Sequence, residues 1–366
     1  MKILQVNKLY YPWMGGVEMI VQQVAEGLNK KHLDVEVLCV QSKGKRKIEE
    51  VKGVKVWRAK SFGIFWGMPI SFDFFRLFKK LVKNVDVVDF HHPFPLGDLA
   101  ILLSKPKKLV VHYHSDIVRQ KILIPFLKPL ILSTLRKADI ILVSNPNLIN
   151  SSFYLKRFKN KCRVVPFGVD FKKLEEYYDE QEIKKNKEKY GDFVFFIGRL
   201  NYYKGVNYLI EAMKDINTNL VIAGEGTEEE KLKQRVKELG LERKIFFLPF
   251  RDRKQTFNLF QSAKLFVLPS IFHSEAFGIV LIEAMACGTP LISTELGTGT
   301  SWVNQDGQTG LVVPPRDIKA LNIAIKKIME NKELAQKMSQ AGRNRAKEKF
   351  DLKTMLVEIE KIYQTI

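Results

Sequence analysis

The 366-residue chain has little of what marks secreted, disulfide-stapled or membrane-spanning proteins. It has three cysteines, Cys39, Cys162 and Cys287, far apart and with no C-x-x-C pair. This excludes a disulfide framework and a cysteine-based metal site, and leaves buried thiols in a reducing compartment. No apolar run reaches the roughly 20 residues a helix needs to cross a bilayer. The opening stretch "MKILQVNKLYYPW" is too short and polar for a leader and reads as a first strand. The expected location is therefore cytoplasmic. Repeats and low-complexity tracts are missing too, so 46% hydrophobic and 27% charged residues describe an ordinary globular chain. Its length allows two domains with sizeable cores.

Acidic residues are also scarce: 60 Lys and Arg stand against 40 Asp and Glu, a net charge of +20. The imbalance is local, since residues 1–170 hold 29 Lys and Arg against 13 Asp and Glu. A one-sided positive field suits an anionic partner: a membrane surface, a nucleic acid or a phosphorylated acceptor. Nucleic-acid binding would need aromatic platforms or a recognition module, and no such motif is present.

Short β-branched runs alternate with helical patterns along the first half. "KILQVNKLY", "VEVLCVQS", "VKVWRAK", "VDVVDFHH", "KLVVHYHS", "ADIILVSN" and "CRVVPFGVD" read as strands. In "GGVEMIVQQVAEGLNKK", Val17, Ile20, Val21, Val24 and Leu28 recur at helical spacing. This rhythm predicts a doubly wound parallel α/β sheet over residues 1–170. A second series, from "DFVFFIGRL" to "TGLVVPP", predicts another over 191–345. The charged stretch 171–190 reads as a linker with a surface helix, and 346–366 as a helix able to pack back on the first domain. Ligands of such sheets bind at the carboxyl ends of the strands, and a cleft is expected there.

Several polar groups fall at those ends. In "FFIGRLNYYKG" a strand ends at Gly198, and Arg199 and Lys204 follow, two cations suited to a diphosphate. In "LVIAGEG", Gly224 and Gly226 flank Glu225 and allow backbone to approach a ligand or simply turn. In "HSEAFGIVLIEAMACG", the helix start at Phe277, Gly278 and Ile279 offers unpaired amides to a phosphate. Glu275 precedes that start and Glu283 lies a turn inside it. A carboxylate can bind a sugar diol without a metal, or a buried one can pair within the core. His112, His114 and Asp116 alternate along one strand, as metal ligands can, after His91 and His92. No Cys cluster or H-E-x-x-H spacing accompanies them, so no metal is expected.

Arg199 and Lys204, then Glu275 and Glu283 in "EAFGIVLIEAMACGTPLIS", and "TELGTGTSWVNQDGQTGLVVPP" resemble glycosyltransferase family 4 along nearly the whole chain. The resemblance implies a GT-B fold, two Rossmann-like α/β domains facing across a cleft, and a retaining, metal-independent transfer from a nucleotide sugar. It implies that Glu275 contacts the transferred sugar, Glu283 holds the ribose, and Arg199 and Lys204 neutralise the donor diphosphate. Gly15 and Gly16 in "YYPWMGGVEMIV" match the family's glycine loop, and His114 in "VVHYHSD" its functional histidine, with His112 as the alternative. No cofactor is implied, because the nucleotide sugar is a substrate. A phosphorylase of related fold would need a pyridoxal-phosphate lysine and a much longer chain.

The pattern is most similar to mannosyltransferases of surface-polysaccharide assembly, which implies GDP-mannose, with UDP-glucose or another UDP-hexose as the alternative. "GTG" at Gly297–Gly299 stands where many relatives have "GG". A non-catalytic nucleotide-sugar-binding protein is the alternative of another class. The acceptor expected is a glycan or a lipid-linked glycan. In "FGIFWGMPISFDFFRLFKKLVKNV", Phe74, Phe78, Leu81 and Val85 line one helix side and Arg76, Lys79, Lys80 and Lys83 another. Such a helix either lies on anionic lipid or turns its apolar side into the core. Peripheral attachment to the membrane's inner face is the expectation, with no nucleic-acid partner.

Overall fold

The structure is a computed structural model that describes every residue except Met14, Trp66, Gly67 and residues 118–123. Parts of the "WMGG", "IFWG" and "HSDIVRQK" stretches thus lie outside the described residues. The chain divides into two compact units, Met1–Phe167 with Thr354–Ile366, and Gly168–Lys353.

The first unit runs β1 (Lys2–Val6), α1 (Gly16–Asn29), β2 (Asp34–Val40), β3 (Lys47–Val51), β4 (Val54–Ala59), β5 (Ile64–Phe65), β6 (Met68–Pro69) and α2 (Asp73–Leu81). It continues with β7 (Val87–His92), α3 (Pro95–Leu102), β8 (Lys108–Tyr113), α4 (Ile124–Lys137), β9 (Ile140–Val143), α5 (Pro146–Ser151) and β10 (Cys162–Val164). Eight strands form one sheet in the order β10-β9-β8-β7-β1-β2-β4-β3. All pairs are parallel except β3 with β4. The strand order reverses direction between β1 and β7. Parallel strands covered on both faces read as continuous apolar runs, which is why they were legible. β3, "KIEEV", was not: it is a charged edge strand, largely solvent-facing and paired on one side only.

One face of this sheet packs a core of Leu4, Val6, Val88, Phe90, Val111 and Tyr113 against α2, α3 and α4. Phe74, Phe78, Leu81 and Val85 of the amphipathic stretch are all buried in it. The apolar side of α2 therefore faces the interior, not lipid. Burying those rings stabilises the unit by roughly 1.5–3 kcal/mol per side chain, more than a surface contact would return. Arg76, Lys79, Lys80 and Lys83 remain exposed.

The second unit runs α6 (Phe171–Tyr177), α7 (Glu180–Tyr190), β11 (Phe193–Ile197), α8 (Val206–Ala212), β12 (Asn219–Ala223), α9 (Glu229–Glu238), β13 (Ile245–Leu248) and α10 (Arg253–Ser262). Then follow β14 (Leu265–Leu268), α11 (Ile279–Cys287), β15 (Leu291–Thr294), α12 (Gly299–Val303), β16 (Gly310–Val313), α13 (Ile318–Glu330) and α14 (Lys332–Lys349). Its six strands are parallel in the order β13-β12-β11-β14-β15-β16, the doubly wound order with its reversal between β11 and β14.

Residues 171–190 are not a free linker. They form α6 and α7, capped by Asp170 and Asp179 and strapped to α10. The fully buried Asn258 of α10 donates to the Tyr177 carbonyl at 2.9 Å and accepts from the Asp179 amide at 3.0 Å. One amide side chain thus satisfies the backbone at the break between the helices. Asn258→Ala should destabilise this strap by about 1 kcal/mol, because two part-buried backbone groups lose their partner. Hydrogen exchange at residues 171–190 should speed up markedly; unchanged protection would contradict this account.

The last helix, α15 (Leu352–Thr365), brings residues 354–366 into the first unit. It packs on α1 so closely that a β-carbon at Gly27 would lie 2.3 Å from Leu356 Cδ1. Lys31 pairs with Glu360, and Tyr363 reaches Asp89 of β7. No helix among the described residues is long and apolar enough to cross a membrane.

Candidate active site

At the carboxyl edge of the second sheet, three loops converge near the strand reversal. The first leaves β11 at Gly198 and carries the exposed Arg199 and the buried Lys204. Lys204 closes a single 3₁₀ turn, and Gly205 then turns left-handed (φ 66°) to start α8. The second loop, after β12, holds Gly224–Gly226. The third follows β14 and carries Ser270 and Glu275 up to α11.

Lys204 Nζ lies 2.5 Å from Glu275 Oε2, and Ser270 Oγ donates to the same oxygen at 3.1 Å. Burial alone would lower the lysine's pKa, but the Glu275 carboxylate outweighs it and holds Lys204 above its ordinary value. The ammonium therefore stays charged inside the fold. A β-carbon at Gly198 would stand 3.7 Å from Nζ, an ordinary contact, so the glycine is not what makes space for the ammonium. The Glu275 loop is itself pinned by "GTG". Thr298 Oγ1 donates to the Glu275 carbonyl at 2.7 Å, and Gly299 N to the Ala276 carbonyl at 2.8 Å.

Gly278, left-handed at φ 77°, starts α11, and no side chain caps the helix. Phe277 sends its ring into a cluster with Trp302 and Phe350, so only its backbone remains for a ligand. Glu283, the fifth residue of α11, is buried and meets Arg253 Nη2 at 3.0 Å. The guanidinium explains how a carboxylate is tolerated inside so apolar a helix. Arg253 was not singled out from sequence, since "FRDRKQTF" gives no sign that its cation turns inward.

Gly224 and Gly226 serve the protein more than a ligand. β-Carbons there would lie 2.1 Å from the Gly198 carbonyl and 2.4 Å from that of Leu200. The glycines let the first two loops touch backbone to backbone. Glu225, between them, is exposed and accepts a bond from the Phe250 amide at 3.3 Å.

In the first unit, Gly15 is the extended N-cap of α1, which follows the carboxyl end of β1, and Gly16 is that helix's first residue. His114 follows β8 and is buried against the Phe167 ring. Its Nε2 meets His91 Nδ1 of β7 at 2.9 Å. His91, His112 and His114 bring one ligand atom each within 4.8 Å of one another. Asp116 does not join them: it turns away to accept from Tyr113 Oη at 2.5 Å and Ser152 Oγ at 2.6 Å. The alternation of His112, His114 and Asp116 is thus broken where the strand ends at Tyr113, and His91 of the neighbouring strand takes the third place. Burial pushes His91 and His114 well below the ordinary imidazole range, so both rings are neutral.

A hollow of about 790 Å³, lined by Asp192, Asn219, Lys244 and Lys326, lies at the opposite, amino-terminal edge of the second sheet. It is far in the fold from these loops and contains no convergent chemistry.

Comparison with known proteins gives concordant results. Residues 178–345 match the family described as glycosyl transferases group 1, and residues 14–173 that described as glycosyltransferase family 4. The chain is 33% identical to O-antigen chain mannosyltransferase C of Escherichia coli, covering 100% of this chain and 99% of that one. It is 34% identical to D-rhamnosyltransferase WbpZ of Pseudomonas aeruginosa, over 96% and 92% of the two chains. Among solved structures, sucrose-phosphate synthase from Thermosynechococcus elongatus superposes with a TM-score of 0.81 at 22% identity, covering 100% and 98%. Anabaena HepE in complex with UDP-glucose gives 0.80 at 18% identity, covering all of both chains.

Proposed function

The chain belongs to glycosyltransferase family 4, the glycosyl transferases group 1, and has the GT-B fold; from this premise we propose that it transfers mannose from GDP-mannose to a lipid-linked glycan, with retention and without a metal, in surface-polysaccharide synthesis. The mannosyltransferase relative, similar over its full length, supports the sugar. UDP-hexose is the alternative donor, favoured by the fold neighbour solved with UDP-glucose.

The observation that carries the catalytic part is the buried Lys204–Glu275 pair at the strand reversal. The Glu275 carboxylate keeps Lys204 charged inside the fold. When a donor enters, Lys204 and Arg199 turn to its diphosphate, where negative charge grows as the glycosidic bond breaks. Fixed cations at such a place supply the largest share of catalysis. Glu275, released, accepts from hydroxyls of the transferred sugar, and Glu283, steadied by Arg253, from the ribose diol. Backbone amides of Phe277, Gly278 and Ile279 add to the phosphate seat, and Glu225 borders it. Gly15 and Gly16 are assigned to the diphosphate, and His114 to orienting the sugar. The acceptor attacks on the leaving-group face, which keeps the anomeric configuration. Cations in the role of a divalent metal leave none to be required.

Thermal shift with nucleotides tests the donor. At a hundredfold excess over Kd a ligand adds about 2.7 kcal/mol, so GDP should raise Tm and UDP should not. The reverse result moves the assignment to a UDP-hexose, and no response to either sinks it. Anomeric configuration of the product by proton NMR, with chelator present, tests retention and metal independence.

Peripheral attachment to anionic lipid rests on the cationic side of α2 and the aromatic stretch before it, not on the helix's apolar side. Phe62, Phe65 and Phe72 are exposed, with Lys60 over the Phe62 ring. Changing Lys79, Lys80 and Lys83 to Glu should weaken co-sedimentation with anionic vesicles at low salt by on the order of 1 kcal/mol per residue. Undiminished binding would remove this part of the proposal.

A further inference from the structure

The face of the first sheet opposite its apolar core carries a polar row running across three strands. Gln5 of β1 pairs in register with Asp89 of β7, and His91 of β7 with His112 of β8. His114 follows two residues on. Every member is buried, and so is Tyr363 of α15, which closes the row from above. Such a row inside a sheet needs its hydrogen bonds to be made in one consistent direction.

The carboxylate sets that direction. Asp89 Oδ2 accepts from Tyr363 Oη at 2.5 Å and from Gln5 Nε2 at 3.3 Å. It also faces His91 Nε2 at 3.7 Å, while His112 Nε2 faces Oδ1 at 3.4 Å. Burial raises the pKa of Asp89, but a proton taken up there would sit on Oδ1, toward His112, because Oδ2 already receives two donors. In either state Oδ2 is an acceptor. It lies beyond hydrogen-bond reach of His91 Nε2, which has no hydrogen-bond partner among the described residues. The carboxylate therefore draws the single proton of a neutral His91 to Nε2 by its charge and not by a bond, and leaves Nδ1 as a lone pair. In that tautomer the lone pair is what His114 Nε2 meets at 2.9 Å, and His114 donates from Nε2. Being neutral too, it has no second proton, and its Nδ1 is bare.

We infer that Asp89 and His91 are positioning residues that set the tautomer of His114, so that His114 offers its Nδ1 to substrate only as a hydrogen-bond acceptor, with Tyr363 of the C-terminal helix holding the carboxylate. This rests on the reading of His114 as the residue that orients the transferred sugar, and it specifies that reading: the ring accepts a proton bond from a sugar hydroxyl and gives none. It also ties the last residues of the chain to the chemistry, through one phenol.

Long-range proton–nitrogen correlation on the ¹⁵N-histidine-labelled full-length chain reads each ring's tautomer directly. His114 should show a protonated Nε2 and a bare Nδ1 at neutral pH. Asp89→Asn should mix the tautomers of His91 and His114 and lower kcat by on the order of 10- to 100-fold with little change in KM, as for groups that act by orienting an imidazole. Tyr363→Phe removes one hydroxyl, keeps the packing, and should cost a few-fold in kcat; it serves if Asp89→Asn fails to fold. A proton found on His114 Nδ1 overturns the inference, as does a folded Asp89→Asn chain with unchanged tautomers. Stoichiometric transition metal on His91, His112 and His114 overturns it as well. Full transfer by His114→Ala, with the wild-type tautomer as stated, would instead overturn the reading of His114 and leave the relay standing.

Discussion

Lys204→Ala should reduce kcat/KM for transfer by roughly 10²- to 10³-fold, the loss seen when one preorganised charge donor is removed from a transition state. It should also destabilise the second unit by about 3–5 kcal/mol, since Glu275 would be left with an uncompensated charge and, among the described residues, Ser270 Oγ as its side-chain donor. The two effects separate in a double-mutant cycle. Adding Glu275→Gln to Lys204→Met removes both charges while keeping the volume, so much of the stability should return and none of the activity. If the double variant is as unstable as Lys204→Ala, the pair is not what holds these loops. If Lys204→Ala transfers sugar normally, the ammonium is structural alone and the proposed neutralisation of the diphosphate fails.

The second large effect is expected at Gly205. Its φ of 66° is the left-handed region that L side chains avoid, and a β-carbon there would lie 2.1 Å from the Pro269 carbonyl. A carbonyl cannot move aside as a flexible side chain can, so Gly205→Ala must push the β11 loop from the β14 loop. Backbone strain costs roughly 1–3 kcal/mol, and the displaced Lys204 and Glu275 add to that. We expect a loss of on the order of 3 kcal/mol by denaturant unfolding of the second unit, and a fall in kcat/KM comparable to that of Lys204→Ala. Alanine at Gly240 is the control: φ is also 66°, yet nothing lies within 4 Å of the added carbon. It should lose stability modestly and keep activity. Equal effects at the two glycines would show that conformation alone, and not the contact between loops, makes Gly205 necessary.

The sequence by itself determined the type and order of the major elements, because parallel strands buried on both faces appear as unbroken apolar runs and the helices between them keep a 3.6-residue period. It also brought forward Arg199, Lys204, Glu275 and Glu283, since polar residues just past such runs fall at the edge where ligands of these sheets bind, and their spacing matches a known family. Tertiary structure decided who meets whom. That Lys204 pairs with Glu275, 71 positions away, and Glu283 with Arg253, 30 positions before it, follows from which strands lie side by side. Apolar periodicity carries no information about that choice. The side of α2 that looked ready for lipid went into the core, where rings bury more area than on a surface. The charged run 171–190 became two packed helices because one buried amide, Asn258, satisfies the break between them. Asp89, His91 and Tyr363 were illegible for the same reason: a strand of the sheet and the last helix come together only in the folded first unit, and the tautomer of His114 is set there.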